Sequence, residues 1–239
     1  MRAINLELYA RDAVKAVERG DVVVVIDVLR CSSTIITALA NGARELIPVA
    51  TVKGARVLKA AHSDLVLAGE RRGVKPNGFT LGNSPLEFTT TAVAGRRIVI
   101  TTTSGTNAIV RSQGAGAVVV GALLNVDAAG DVAVDLADEY GRGVSLVLSG
   151  KRGQFSLEDF LCAGAFVEVL RSGETECSDA AQAAYLAYRR SKDRLYEVIS
   201  RGNHALYLAG IGLDGDVEYC CHRNASRVVP QLVDGRIVG

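Results

Sequence analysis

The 239-residue chain has 27 basic and 26 acidic side chains and is 49% hydrophobic, which excludes bulk disorder and a strongly basic nucleic-acid binder. It has no Trp and only 5% aromatics, so it offers no base-stacking surface, and no run approaches the roughly 18 apolar residues of a membrane span. The opening Met1-Arg2-Ala3-Ile4-Asn5-Leu6-Glu7 lacks the apolar core of a secretory signal, and five cysteines without a C-x-x-C pair read as free thiols of a cytoplasmic protein.

Residues 21–27 (Asp-Val-Val-Val-Val-Ile-Asp) form the clearest strand, a β-branched run suited to burial on both faces. Ser32 or Ser33 can cap a helix over 34–40, which Asn41-Gly42 ends. A strand over 45–49, a helix over 52–61 and a strand over 64–68 follow. Ser84-Pro85 starts a further helix, since Pro suits the first helical position. Strands over 97–101, 117–120 and 144–148 alternate with helices over 104–113 and 126–140. Beyond residue 156 the chain reads as helices over 157–170 and 179–200, then a short tail from Asp214 with a hairpin and Pro230. The fold class is α/β: a mainly parallel central sheet flanked by helices, with a helix-rich C-terminal part. One domain spans 1–239, with a composition shift near 150. Right-handed crossovers place the strand-to-helix turns on one sheet edge, where α/β proteins bind ligands.

Four of those turns carry candidate chemistry. In Asp27-Val28-Leu29-Arg30-Cys31-Ser32-Ser33-Thr34, the acid can hold Mg²⁺ and Arg30 can complete a phosphate cradle at a helix N-terminus, with Ser32 equally an ordinary cap. Thr101-Thr102-Thr103-Ser104-Gly105-Thr106 supplies hydroxyls, and a glycine that admits close backbone approach. Gly69-Glu70-Arg71-Arg72-Gly73, followed by Asn83-Ser84, offers Glu70 as a second metal ligand or general base. In the segment 149–159, the basic pair Lys151-Arg152 can face an anion and Glu158-Asp159 a metal, although Ser156-x-x-Asp159 also reads as a capping box. There is no Walker A and no G-x-G-x-x-G after a strand. Leu29 stands where a haloacid-dehalogenase-type phosphatase needs its second Asp. Cys221-x₅-Arg227 matches a cysteine-phosphatase spacing, but Val228-Val229-Pro230 follows instead of a helix. The three histidines, His62, His204 and His222, share no metal-binding spacing and read as surface or satisfied core residues.

Together the segments Val25-Ile26-Asp27-Val28-Leu29-Arg30, Ala40-Asn41-Gly42-Ala43, Gly69-Glu70-Arg71, Gly78-Phe79, Leu81-Gly82-Asn83-Ser84-Pro85, Thr102-Thr103-Ser104-Gly105-Thr106 and Phe155-Ser156-Leu157-Glu158-Asp159 resemble the 2-phosphosulfolactate phosphatase family, the ComB proteins of coenzyme M biosynthesis. Ser104 stands where Asn is as common. The resemblance implies a Mg²⁺-dependent hydrolase that releases phosphate from (R)-2-phospho-3-sulfolactate. Its alternatives are a phosphatase of another small phosphorylated acid and a non-catalytic anion binder of the same fold. The expected site comprises Asp27, Arg30 and Glu70 for catalysis and Asp27, Glu70 and Glu158 for Mg²⁺. Ser32, Ser33, Arg71, Asn83, Ser84, Thr103, Ser104, Gly105, Thr106 and Lys151 are expected to bind substrate. The nucleophile is water held by Mg²⁺, with Asp27 or Glu70 as base, or else Asp27 itself. The expected partner is a small phosphorylated acid, with no nucleic acid and no membrane; the sequence is compatible with a homo-oligomer.

Overall fold

The computed structural model describes residues 3–151, 153–172 and 175–239. Its strands are β1 (Ala3–Glu7), β2 (Val22–Ile26), β3 (Glu45–Pro48), β4 (Val66–Gly69), β5 (Arg97–Thr101), β6 (Ala117–Gly121), β7 (Val144–Leu148), β8 (Glu176–Cys177), β9 (Gln231–Val233) and β10 (Arg236–Val238). The helices are α1 (Ala13–Arg19), α2 (Cys31–Ala40), α3 (Val52–Ala61), α4 (Thr90–Val93), α5 (Gly105–Arg111), α6 (Val126–Tyr140), α7 (Leu157–Leu170), α8 (Asp179–Ser191), α9 (Leu195–Ile199), α10 (Asn203–Gly210) and α11 (Asp214–Cys220). The protein is α/β and mainly parallel, with a helix-rich C-terminal part, as its alternating pattern predicts. Among the described residues no helix is long and apolar enough to cross a membrane.

All strands join one sheet, in the order β4-β5-β3-β10-β9-β6-β2-β7-β1-β8. β4, β5 and β3 are mutually parallel, as are β6, β2, β7, β1 and β8. The tail hairpin β9–β10 lies between the two groups and pairs antiparallel to both, through Ile237 opposite Leu46 and Val119 opposite Gln231. Three antiparallel steps therefore separate β3 from β6, and the two groups run in opposite senses. The turns at their carboxyl ends do not lie along one edge of a single parallel sheet. They meet because both groups pack on the same helices. Val23 and Val25 of β2, Val120 of β6, Leu46 of β3 and Ile98 and Ile100 of β5 share one core with Ile35 and Ala38 of α2 and Ala108 and Ile109 of α5.

β2 shows why its sequence is continuously apolar. All five residues are buried, and they alternate between two cores. Val23 and Val25 face α2 and α5, whereas Val22, Val24 and Ile26 face a second core with Phe166 of α7 and Tyr188 of α8. α3 covers the outer face of β4 and β5 through Ala55, Leu67 and Val99.

Three local readings need correction, and one stretch carried no reading. β1 and α1 form in a stretch whose pattern is too short to read. Ser84-Pro85 begins only a 3-10 turn, Pro85–Glu87, because Phe88 turns in to the core before another helical turn forms. The predicted helix over 179–200 breaks after Ser191, whose hydroxyl donates back to the Ala187 carbonyl at 2.9 Å, a bond that competes with helix continuation. The tail from Asp214 begins with α11 before the hairpin.

Candidate active site

The turns after β2, β4, β5 and β7 converge on one pocket of about 170 Å³. The first supplies Asp27, Leu29 and Arg30, the second Glu70, Arg72 and Gly73, the third Thr102, Thr103 and Ser104, and the fourth Gly150 and Lys151. Asn83 and, from α10, His204 and Tyr207 also line it.

Asp27 leaves β2 at the start of α2 and is buried. Its Oδ1 accepts from the Cys31 N–H at 3.1 Å, and its own N–H donates to Ser32 Oγ at 3.0 Å. Burial raises its pKa to about 7, opposed by the Cys31 N–H; the nearby charges of Glu70 and Glu158 push the same way as burial, and Arg30 pulls back. Glu70 is equally buried and held at both oxygens: Oε2 accepts from the Gly73 N–H at 2.7 Å and Oε1 from the Thr103 N–H at 2.6 Å. One carboxylate thus ties the turn after β4 to the turn after β5. Asp159 does the same for the β2 and β7 turns, accepting from the N–H groups of Val28 at 2.9 Å and Gly150 at 3.3 Å. The Leu29–Arg30 peptide bond is cis.

Two glycines allow this proximity. Gly69 has φ +141°, and a Cβ there would collide with the Thr101 carbonyl. A Cβ at Gly105 would strike Cys31 Cβ and come within 2.5 Å of Asp27 Oδ2. Overpacking of this kind costs about 1–3 kcal/mol. At roughly 2–4 °C per kcal/mol for a chain of this size, Gly105→Ala is expected to lower Tm by about 2–12 °C and to depress turnover by displacing Asp27. A thermal melt beside kcat checks both; an unchanged variant would show that α5 can retreat freely.

The basic groups of the pocket differ in their ties. Arg30 is buried, with Nη1 2.5 Å from Asp216 Oδ2 and Nη2 donating to the Gly73 carbonyl at 3.0 Å. Arg72, in the left-handed region at φ +53°, is exposed, and its guanidinium has no partner among the described residues. Lys151 Nζ stands 4.5 Å from the centre of the Tyr207 ring. Tyr207 in turn donates from its hydroxyl to the Arg72 carbonyl at 2.8 Å.

Several expected binding residues lie outside the pocket because their polar groups are spent elsewhere. Ser32 Oγ donates to the Val25 carbonyl and Ser33 Oγ to the Val28 carbonyl. Thr106 Oγ1 accepts from the Thr102 N–H, which closes the turn into α5. Ser84 Oγ donates to Asp216. Arg71 turns away to Thr101 and to the Ala50 and Glu70 carbonyls, so the residue of that turn facing the pocket is Arg72. Glu158 lines an adjoining hollow with Ser156 and Asn203, not the Asp27–Glu70 pocket, because a hydrogen bond to Ser156 holds it in the first turn of α7. Arg152 lies outside the described residues. The sequence reading missed Arg72, His204, Tyr207 and Asp216; a basic neighbour of Arg71 was visible, but nothing local marked the other three.

The donor set fits a hard divalent cation. Asn83 Oδ1 and Thr103 Oγ1 are buried with no hydrogen-bond partner among the described residues, and they line the same pocket as the buried carboxylates Asp27 and Glu70, which gives it four oxygen-bearing side chains of the kind such an ion takes. Among the described residues no three Asp, Glu, His or Cys side chains enclose a metal. Mg²⁺ commonly takes only one or two carboxylates, the remaining ligands being water and substrate phosphate.

Acids that repel each other, with basic side chains lining the same small pocket between two groups of strands, are a layout suited to an α/β enzyme for a small anionic molecule. The profile of the family described as 2-phosphosulpholactate phosphatase matches residues 9–235. A Clostridium acetobutylicum protein named "Probable 2-phosphosulfolactate phosphatase" is 36% identical over 238 residues, 98% of this chain and 99% of that one. Proteins of the same name are 40% identical in Thermotoga petrophila, over 89% of each chain, and 33% identical in Clostridium beijerinckii, over 98% of each. The chain belongs to the 2-phosphosulfolactate phosphatase family and is a phosphoric monoester hydrolase acting on a small phosphorylated molecule.

Proposed function

We propose that the chain hydrolyses (R)-2-phospho-3-sulfolactate to 3-sulfolactate and phosphate with Mg²⁺, as a step of the coenzyme M type of biosynthesis in the cytoplasm. One observation carries this reading: the pocket is lined by two buried carboxylates, Asp27 and Glu70, together with the cationic side chains Arg30, Arg72 and Lys151. A substrate with phosphate, carboxylate and sulfonate needs several donors at once. Arg72, whose guanidinium has no partner among the described residues, would take an acid group, and the turn after β5 would face the phosphate.

Asp27 and Glu70 would hold the Mg²⁺, which supplies charge neutralisation to the phosphoryl group when bound. Asp27 is the base. The water oxygen bonds to phosphorus, and the ester P–O bond breaks with its electron pair left on the lactate oxygen. One water proton passes to Asp27 and on to that oxygen; the other stays on the phosphate. Cysteine chemistry is poorly served here, since burial pushes the Cys221 thiol up to about 12.

Phosphate release from 2-phospho-3-sulfolactate, phospholactate and phosphoglycerates, with Mg²⁺ or with EDTA, tests the reading. Activity is expected to prefer the sulfonated substrate, to fall to background in EDTA and to return with Mg²⁺, while Cys221→Ser retains it. Full activity in EDTA, or its loss in Cys221→Ser, would overturn the proposal. Tight anion binding without turnover would point to a non-catalytic member.

A further inference from the structure

We propose that Tyr207 is a positioning residue for substrate selection: through its hydroxyl and its ring it holds Arg72 and Lys151, the cations that take the acid groups the substrate carries besides its phosphate. The inference rests on the phosphatase reading above and adds to it the residue that sets those cations.

Arg72 and Lys151 belong to different turns, after β4 and β7, and both line the pocket together with Tyr207. Arg72 lies in the left-handed region at φ +53°, and Gly73 follows at φ +74°. Arg71 and Val74 exchange backbone hydrogen bonds across this pair, at 2.9 and 3.2 Å. A two-residue turn with positive φ at both central positions suits Asn-Gly or Gly-Gly, and an arginine enters it at a cost. The Gly73 side is tied through its carbonyl to Arg30 and through its N–H to Glu70. On the Arg72 side the Tyr207 hydroxyl donates to the Arg72 carbonyl at 2.8 Å.

The same side chain serves Lys151, whose Nζ stands 4.5 Å from the centre of the Tyr207 ring, within the reach of a cation–π attraction. A lysine gives up rotamer freedom when it grips an anion, and a seat on the ring removes part of that loss in advance. The ring is itself fixed. It lies 14° from parallel to His204, with 6.3 Å between centroids, and His204 Nε2 is 2.9 Å from the Leu29 carbonyl oxygen. The two carboxylates do not depend on Tyr207: Glu70 keeps the Gly73 and Thr103 N–H groups, and Asp27 keeps that of Cys31. Loss of Tyr207 therefore weakens the grip on the acid groups and spares the phosphoryl step.

The two products divide the substrate for a test. 3-Sulfolactate carries the acid groups without phosphate, and inorganic phosphate carries neither carboxylate nor sulfonate. Tyr207→Phe removes the hydroxyl and keeps the ring beside Lys151; Tyr207→Leu removes both. Tyr207 is 39% exposed, so neither change opens the core, and a melt checks folding. In Tyr207→Phe the KM for 2-phospho-3-sulfolactate and the inhibition constant of 3-sulfolactate are expected to rise about 2- to 10-fold, the worth of one neutral hydrogen bond. Tyr207→Leu is expected to add a further factor of about 2 to 5 for the lost cation–π contact. The loss should fall on KM, with kcat and the inhibition constant of inorganic phosphate moving by less than about twofold. An unchanged 3-sulfolactate constant in Tyr207→Leu, a rise that phosphate shares equally, or a wild type that 3-sulfolactate does not inhibit would overturn the role of Tyr207 while leaving the phosphatase reading intact. A wild-type protein that releases no phosphate from any substrate would overturn both.

Discussion

Asp27→Asn is expected to lower kcat by about 10²- to 10⁴-fold, the range for a lost general acid or base, and to make the ligand-free protein more stable at and above neutral pH. The side-chain shape is retained, and an amide oxygen can still accept from the Cys31 N–H that Oδ1 now engages at 3.1 Å. The lost charge is what differs. An ordinary Asp titrates near 3.9, whereas this one is lifted to about 7, chiefly by burial. Between those values the folded state binds a proton that the unfolded state does not, so the wild type loses stability as pH rises across that window. The loss is complete above about pH 7. An uncharged amide carries no such penalty, and the difference in Tm between variant and wild type should therefore grow from about pH 4 to pH 7 and then level off. Mg²⁺ should raise the wild-type Tm and have little effect on the variant, because a cation held by Asp27 stabilises only the folded form. Turnover within a few-fold of wild type in a folded variant would remove Asp27 from the chemistry.

The base of this site was legible in the sequence because it is built from strand ends. Val22–Ile26 could be read as a doubly buried strand from its β-branched run, which placed Asp27 at a strand terminus. The same logic located Glu70, Thr103 and Lys151. The way these ends meet was not legible, since it depends on a hairpin from the end of the chain entering between two groups of strands. Residue type alone did not show where the hydroxyls turn. Ser32, Ser33 and Thr106 look like phosphate ligands, yet their oxygens serve the backbone of the turns that position Asp27 and Thr103. The covering elements left no local signal at all. His204 reaches Leu29 across 175 residues, Tyr207 reaches Arg72 across 135, and Asp216 reaches Arg30 across 186. No spacing pattern within α10 or α11 encodes such contacts.

Arg30→Ala and Asp216→Ala are each expected to destabilise the protein by about 3–5 kcal/mol, because either leaves a buried charge without its counterpart. For a chain of this size that corresponds to a fall in Tm of roughly 6–20 °C. Both groups are almost wholly buried, and the guanidinium meets Asp216 Oδ2 at 2.5 Å while Ser84 Oγ donates to Oδ1. The second arm of Arg30 holds the Gly73 carbonyl, and the Gly73 N–H holds Glu70. Arg30 thus fixes α11 over the site and, through Gly73, the carboxylate of Glu70, in addition to any contact with phosphate. The single substitutions should consequently be non-additive: replacing both residues with apolar ones should cost less than the sum of the singles by about 0.5–3 kcal/mol, since no unpaired charge remains. Activity should follow a different rule. The double variant recovers part of the melting temperature and none of the turnover, because Glu70 has still lost its support. Melts of the two singles within a degree or two of wild type, or strictly additive losses, would show that the pair is solvated and that α11 is held by its apolar contacts alone.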